Sequence, residues 1–518
     1  MFMGRLQSMN NANRVVFNSA VLYAKIIINV AISLISVPII MHALGNSDYG
    51  LYSLVAGVIG LLAFLKSAMT VSTQRFISVA IGEGKKDKIN SIYNTSLGLH
   101  IIIAAIIVVV FELFALFMFD GFLNIEPGRE TAAKIVYQFL VVTTFLEIAC
   151  VPYEGVMNAN EDMLAFSIIG ILSAVLKLLL AVYLRVCGFD RLIVYGLGMA
   201  IISFMTVLTY IVFTNVKYKE LELNLVRYFD KPVMKEILGF TGWNTFGAIA
   251  LVGRNQGVAI VMNKFFGTVL NAAYGVANQV NGVMGYFSNS FHKAITPQLM
   301  KSHGQGDDKR MIRLSIISSK FSVLVMGFLA VPLILEMSYI LKIWLVTPPE
   351  YTVELCQWIL ILSLVNQCST GLMNAISASG KIMKYQIVMS ILILSNVPIS
   401  YVILKIGLPP YFCTIGFVII EVISLVARMI MARDIVGIDI KDFLKGVIIP
   451  SLVGCLVPLI PAYLVHASMA EGLLRTVVVF ILYIISFSLV AWFFSLIPEE
   501  KSVLTNLFGK IIVKIRKK

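Results

Sequence analysis

Charge is what this chain has least of. Only 13% of its 518 residues are Asp, Glu, Lys or Arg, 59% are hydrophobic, and the mean hydropathy is +0.90; ordinary soluble domains carry about 25% charged residues. A water-soluble fold is excluded, leaving an integral membrane protein. Acid is scarcer than base, 28 residues against 41, for a formal net charge of +13. The bases sit in short loops between apolar runs and in the tail Lys510, Lys514, Arg516, Lys517 and Lys518. That is the pattern of segments held on the cytoplasmic side, so no nucleic-acid partner is expected. The six cysteines, Cys150, Cys187, Cys356, Cys368, Cys413 and Cys455, lie in or beside apolar runs without a CxxC pair. They read as buried thiols, with neither a metal site nor a disulfide framework. Walker A, HExxH and GxSxG motifs are missing, and no outside loop is large enough for a catalytic domain. The chain reads as a non-enzyme without a cofactor.

What it has in abundance is apolar sequence. A window of about 19 residues finds roughly fourteen spans: 14–43, 49–79, 89–119, 131–158, 163–187, 191–215, 233–264, 268–300, 311–341, 353–378, 382–406, 410–432, 444–466 and 472–496. The first run is too long for a signal-peptide core of about 7–15 residues and is expected to stay in the membrane. Alternate loops are basic, as with Lys85, Lys86 and Lys88 after span two and Lys301, Lys309 and Arg310 after span eight. The loops at 120–130 and 347–354 carry little positive charge. Both termini are therefore expected in the cytoplasm, with Arg185 and Arg191 weakening the pattern.

A repeat emerges six spans apart. Tyr274-Gly275 answers Tyr49-Gly50, Gly304-Gln305-Gly306 answers Gly82-Glu83-Gly84, and Gly371-Leu372-Met373-Asn374-Ala375 answers Gly155-Val156-Met157-Asn158-Ala159. An even offset makes the copies parallel, related by an axis along the membrane normal. The expected fold is an all-α polytopic bundle: an N-lobe (residues 1–216), a cytoplasmic linker (217–232), a C-lobe (233–433) around a central cavity, and an appended helix pair with its tail (434–518).

Charge at bilayer depth is costly and points to function. Lys25 lies roughly 15 Å into the first span at ~1.5 Å rise per residue, where a lipid-facing charge costs at least ~2.5 kcal/mol. Lys66, Lys177, Arg254 and Lys320 are the other cationic candidates, suited to a phosphate or pyrophosphate. The competing reading has each lysine snorkelling or pairing with a glutamate of its own lobe, for instance Lys177 with Glu147. Glu147 and Glu421 are candidates for ion coupling, or else permanent partners of the lysines.

The bend Pro38-Ile39-Ile40-Met41-His42-Ala43-Leu44-Gly45-Asn46-Ser47-Asp48-Tyr49-Gly50-Leu51 is similar to the first-hairpin signature of Wzx-type polysaccharide (O-antigen and capsule) flippases. These form the polysaccharide transporter branch of the multidrug/oligosaccharidyl-lipid/polysaccharide (MOP) exporter superfamily. The resemblance implies a monomeric flippase in the bacterial inner membrane. It would move undecaprenyl-pyrophosphate-linked repeat units by alternating access for lipopolysaccharide or other surface polysaccharide, with membrane lipids and a polysaccharide polymerase as partners. It also implies that Lys25, Lys66 and Arg254 hold the pyrophosphate and sugar acids. Many members have arginine where this chain has His42, so His42 receives no role. An organic-cation antiporter of the same superfamily would instead need an anionic first-lobe cavity, and a membrane glycosyl polymerase or ligase a long periplasmic loop.

Overall fold

Inside a bilayer every backbone amide must find its partner within the protein, which makes long apolar runs helical. A computed structural model describes residues 11–60, 63–117, 119, 128–345, 347–502 and 505, and no strand occurs among them. The basic tail expected at 510–518 and the loop at 120–127 lie outside the described residues. In order the helices are α1 (Asn11–Gly60), α2 (Ala63–Glu83), α3 (Lys86–Phe117), α4 (Glu130–Ala149), α5 (Val151–Ala159), α6 (Met163–Tyr183), α7 (Arg191–Lys217) and the single turn α8 (Leu225–Tyr228). Then come α9 (Lys231–Gly304), α10 (Asp308–Leu335), α11 (Met337–Leu345), α12 (Thr352–Cys368), α13 (Thr370–Ser379), α14 (Met383–Lys405) and α15 (Tyr411–Val436). The short α16 (Ile440–Phe443), α17 (Ile449–Leu456), α18 (Leu459–Ser468) and α19 (Leu473–Val490) complete the chain.

By length and composition, eleven described helices can cross a membrane, and the bent pair α12–α13, with 44° between its halves, makes a twelfth. The fold is all-helical and multi-pass, but the expected fourteen spans are not reached. The two missing are 49–79 and 268–300. The first is interrupted at 61–62, which lie outside the described residues, and the second carries several Asn, Gln and Ser residues that lower its apolar content.

The backbone carries the repeat more plainly than the side chains do. Gly45 and Gly267 kink α1 and α9 in the left-handed region, at φ 80° and 72°, where glycine has no Cβ to clash. Gly84 and Gly306, at φ 71° and 73°, are separated by the same number of residues as that first pair. The break between α4 and α5 at Cys150 matches the break between α12 and α13 at Ser369. Left-handed Glu161 and Gly380 follow these breaks at equal distance.

Contacts divide the chain into an N-terminal unit, Ala20–Ala248, and a C-terminal unit, Ile249–Lys518 with Met1–Ser19. The 217–232 linker belongs to the first and is strapped to α3. Asn90 and Asn94, one turn apart, donate to the carbonyls of Glu220 (3.2 Å) and Glu222 (2.8 Å). Their side-chain oxygens accept from the amides of Glu222 (3.1 Å) and Asn224 (2.9 Å). At the other end of this unit Arg129 bridges Asp48 of the first bend and Asp190 before α7. Asp48, expected as a turn residue, is thus also an ion-pair partner.

Helices in lipid associate through close packing, and the repeated glycines serve it within each unit. A methyl on Gly155 would come 2.7 Å from Thr73 Cγ2, and one on Gly371 would run into the Ser315 carbonyl oxygen. Met69, Phe111, Tyr137 and Leu192 are buried together in the first unit, and Met326, Leu355, Ile359 and Phe417 in the second. The last helix pair is fastened to α10 at both ends. Fully buried Glu336 accepts from Arg475 (3.0 Å), Thr476 (3.0 Å) and His466 (2.8 Å), while Lys320 meets Glu500 at 2.6 Å.

Candidate functional site

A cavity of about 300 Å³ opens within the N-terminal unit, and three of the five cationic candidates, Lys25, Lys66 and Lys177, line it. The sequence places them there by helical spacing. On α6, Phe166, Gly170, Ser173 and Lys177 recur at intervals of four, three and four residues, which is one helix face. On α1, Asn29 stands one turn beyond Lys25. Across the cavity Glu147, Cys150 and Glu154 follow one another along α4 and α5.

The lysines differ in their surroundings. Lys66 Nζ lies 3.3 Å from Glu147 Oε2 and 3.3 Å from Glu154 Oε1, so its charge is matched by carboxylates on both sides of the Cys150 break. Lys25 Nζ instead stands 4.0 Å from the centroid of the Phe166 ring. Gly170, one turn along, makes the room: a methyl there would come 2.6 Å from Lys25 Cε and 2.7 Å from its Nζ. Among the described residues no carboxylate reaches Lys25 at ion-pair distance. A desolvated cation over an aromatic face gains about 2 kcal/mol, which holds the ammonium in place without neutralising it. Lys177 is exposed. Glu147 pairs with Lys66, where pairing with Lys177 was the alternative.

The remaining candidates belong to the C-terminal unit. Arg254, on α9, donates to Asn255 Oδ1 from Nη2 (2.9 Å) and Nε (3.1 Å), with its guanidinium 5.5 Å over the Phe417 ring. Buried Glu421, one turn beyond Phe417, accepts from Asn366 Nδ2 at 2.8 Å and from buried Arg428. Lys320 is buried in its pair with Glu500 and a 3.3 Å hydrogen bond to the Ser495 carbonyl. His292 faces Ser318, Ser322 and Gln367 at 3.3, 3.1 and 3.1 Å. The pairings of Lys66 with Glu154 and of Glu421 with Arg428 are what reading the sequence missed. Glu154 stands seven residues after Glu147, two turns along one face, and that spacing is the signal that would have found it.

Residues 22–183 match the MatE family model. A search of curated proteins finds no match. Among solved structures, one of MATE in the bent conformation superposes with TM-score 0.73 at 14% identity, covering 84% of this chain and 97% of that one. The fold is that of the MATE transporters. An outward-facing multidrug resistance MATE family transporter of the MOP superfamily gives TM-score 0.69 at 15% identity, covering 84% and 97%. A MOP superfamily transporter from Pyrococcus furiosus, whose structure was described as having a binding pocket of reverse polarity that suggests a different function, gives 0.70 at 15%, covering 85% and 98%. Within this MATE fold the cavity of the N-terminal unit is of mixed sign, three lysines against two glutamates.

Proposed function

We propose that this chain is a flippase for lipid-linked oligosaccharides, carrying undecaprenyl-pyrophosphate-linked repeat units across the bacterial inner membrane by alternating access. It is a transporter and not an enzyme, with both termini cytoplasmic, acting as a monomer beside a polysaccharide polymerase. The observation that carries the reading is Lys25, a cation at bilayer depth that lines a cavity, seated on Phe166 in the notch of Gly170 and, among the described residues, without a carboxylate at ion-pair distance. Such a charge is costly in lipid and retains its full attraction for a phosphate. The first-hairpin signature supports the same reading.

Lys25 and Lys177 serve as the phosphate contacts of the N-terminal unit, and Arg254 is the fork-shaped candidate donor of the C-terminal unit by itself. Lys320, saturated by Glu500, is left out. Of the two coupling candidates, Glu147 is half exposed to the cavity, whereas Glu421 is enclosed with Arg428, so coupling is assigned to Glu147. A second reading, export of organic cations, is favoured by Glu147 and Glu154 in the same cavity. Leaflet accessibility of lipid-linked repeat units decides between them: Lys25→Ala and Arg254→Ala should each leave the units on the cytoplasmic leaflet. Normal translocation in both variants, with loss of organic-cation efflux in Glu154→Gln, would establish the second reading in place of the first.

A further inference from the structure

The cavity of the N-terminal unit is electrically lopsided. Its α1–α6 side offers Lys25 and Lys177 with Asn29 and Ser173 between them, and no carboxylate. Its α4–α5 side offers one ammonium shared between two carboxylates. Lys66 lies 3.3 Å from an oxygen of each glutamate, the long end of the hydrogen-bond range. One ammonium against two carboxylates leaves that side with one carboxylate's worth of negative charge.

We infer that the cavity takes a dipolar head group: a phosphate against Lys25 and Lys177, and a protonated amine a few ångströms away against Glu147 and Glu154. This rests on the flippase reading and narrows it to saccharides that carry an amino group close to the phosphate-bearing carbon. A lone phosphate leaves the two glutamates facing a bare acceptor or its own negative charge. A lone organic cation leaves Lys25 and Lys177 uncompensated. Only a ligand with both signs satisfies both sides, and the amine adds charge-assisted hydrogen bonds of the strong class.

The test is calorimetric titration of the full-length protein in lipid nanodiscs with three probes, glucosamine 1-phosphate, glucose 1-phosphate and glucosamine, at a pH where the amine is protonated. Glucosamine 1-phosphate should bind at least about tenfold more tightly than glucose 1-phosphate, the worth of one hydrogen bond to a charged group. Glu147→Gln should erase that preference while leaving glucose 1-phosphate affinity in place, and Lys25→Gln should weaken both phosphates alike. Equal binding of the two phosphates to the unmodified protein overturns the dipolar assignment alone, even if no variant folds. Absence of binding by either phosphate overturns the flippase reading beneath it. Glucosamine binding as tightly as glucosamine 1-phosphate, untouched by Lys25→Gln, overturns the assignment in favour of a cation site.

Discussion

At the scale of single residues, two glycines show how differently one methyl group acts. At Gly170 the added carbon meets the far end of Lys25, a flexible chain that can swing aside. Gly170→Ala should therefore change thermal stability by less than about 1 kcal/mol while lowering phosphate affinity several-fold, read by melting and titration of one preparation. At Gly371 it meets the backbone carbonyl of Ser315 and the Ser319 hydroxyl, and backbone cannot step back. Gly371→Ala should cost about 1–3 kcal/mol or more, the overpacking range, visible as a lower melting temperature with ligand binding intact. The lysines were legible in the sequence because charge at bilayer depth stands out against apolar neighbours. Which carboxylate each would meet was not, since depth along a span says nothing of the direction in which a side chain leaves it. Lys66 and Lys25 looked alike until their surroundings were known.

At the scale of elements, the first bend was legible from its glycines, and α1 turns at Gly45 as expected. Its Asp48 shares Arg129 with Asp190, and that long-range pairing leaves no local signal. Asp190 sits just outside its span. Burial works to raise its carboxyl, but hydrogen bonds from Arg129 and from the Ile193 and Leu192 amides outweigh it and hold the group below its ordinary value. A lowered folded pKa gives stability that is complete above the ordinary carboxylate value of about 3.9 and is lost as pH falls through the folded one. Asp190→Asn should therefore flatten the fall in melting temperature below about pH 4, and an unchanged acid limb would remove Asp190 from this account. The linker strap makes a second case. With Asn90→Ala and Asn94→Ala combined, four hydrogen bonds to its backbone disappear, and trypsin should cut at Lys219 and Arg227 about tenfold faster, in proportion to an opening eased by about 1.4 kcal/mol. The sequence reads 217–232 as a linker, and nothing in its composition announces that the segment is tied to α3.

At the scale of the whole molecule, the two units share their turns and breaks but not their electrostatics. Lys25 rests on Phe166 beside a cavity, whereas half-buried Arg254 meets Asn255 and Phe417. The repeat was readable because glycine is nearly obligatory where the backbone turns left-handed, while chemistry diverged freely between those fixed points. The final pair of helices, read from the sequence as an appendage, is joined to α10 by two buried ion pairs. Lys320→Met should cost about 3–5 kcal/mol by stranding Glu500, and adding Glu500→Gln should restore most of it. A double-mutant melting cycle without that recovery would show that the pair does not act as a unit.

The position of Lys66 has a mechanical meaning as well as an electrical one. It reaches Glu147 on one side of the interruption at Cys150 and Glu154 on the other, so a single ammonium staples a snapped rod. Any movement of the two pieces against one another must first stretch or break one of those two contacts.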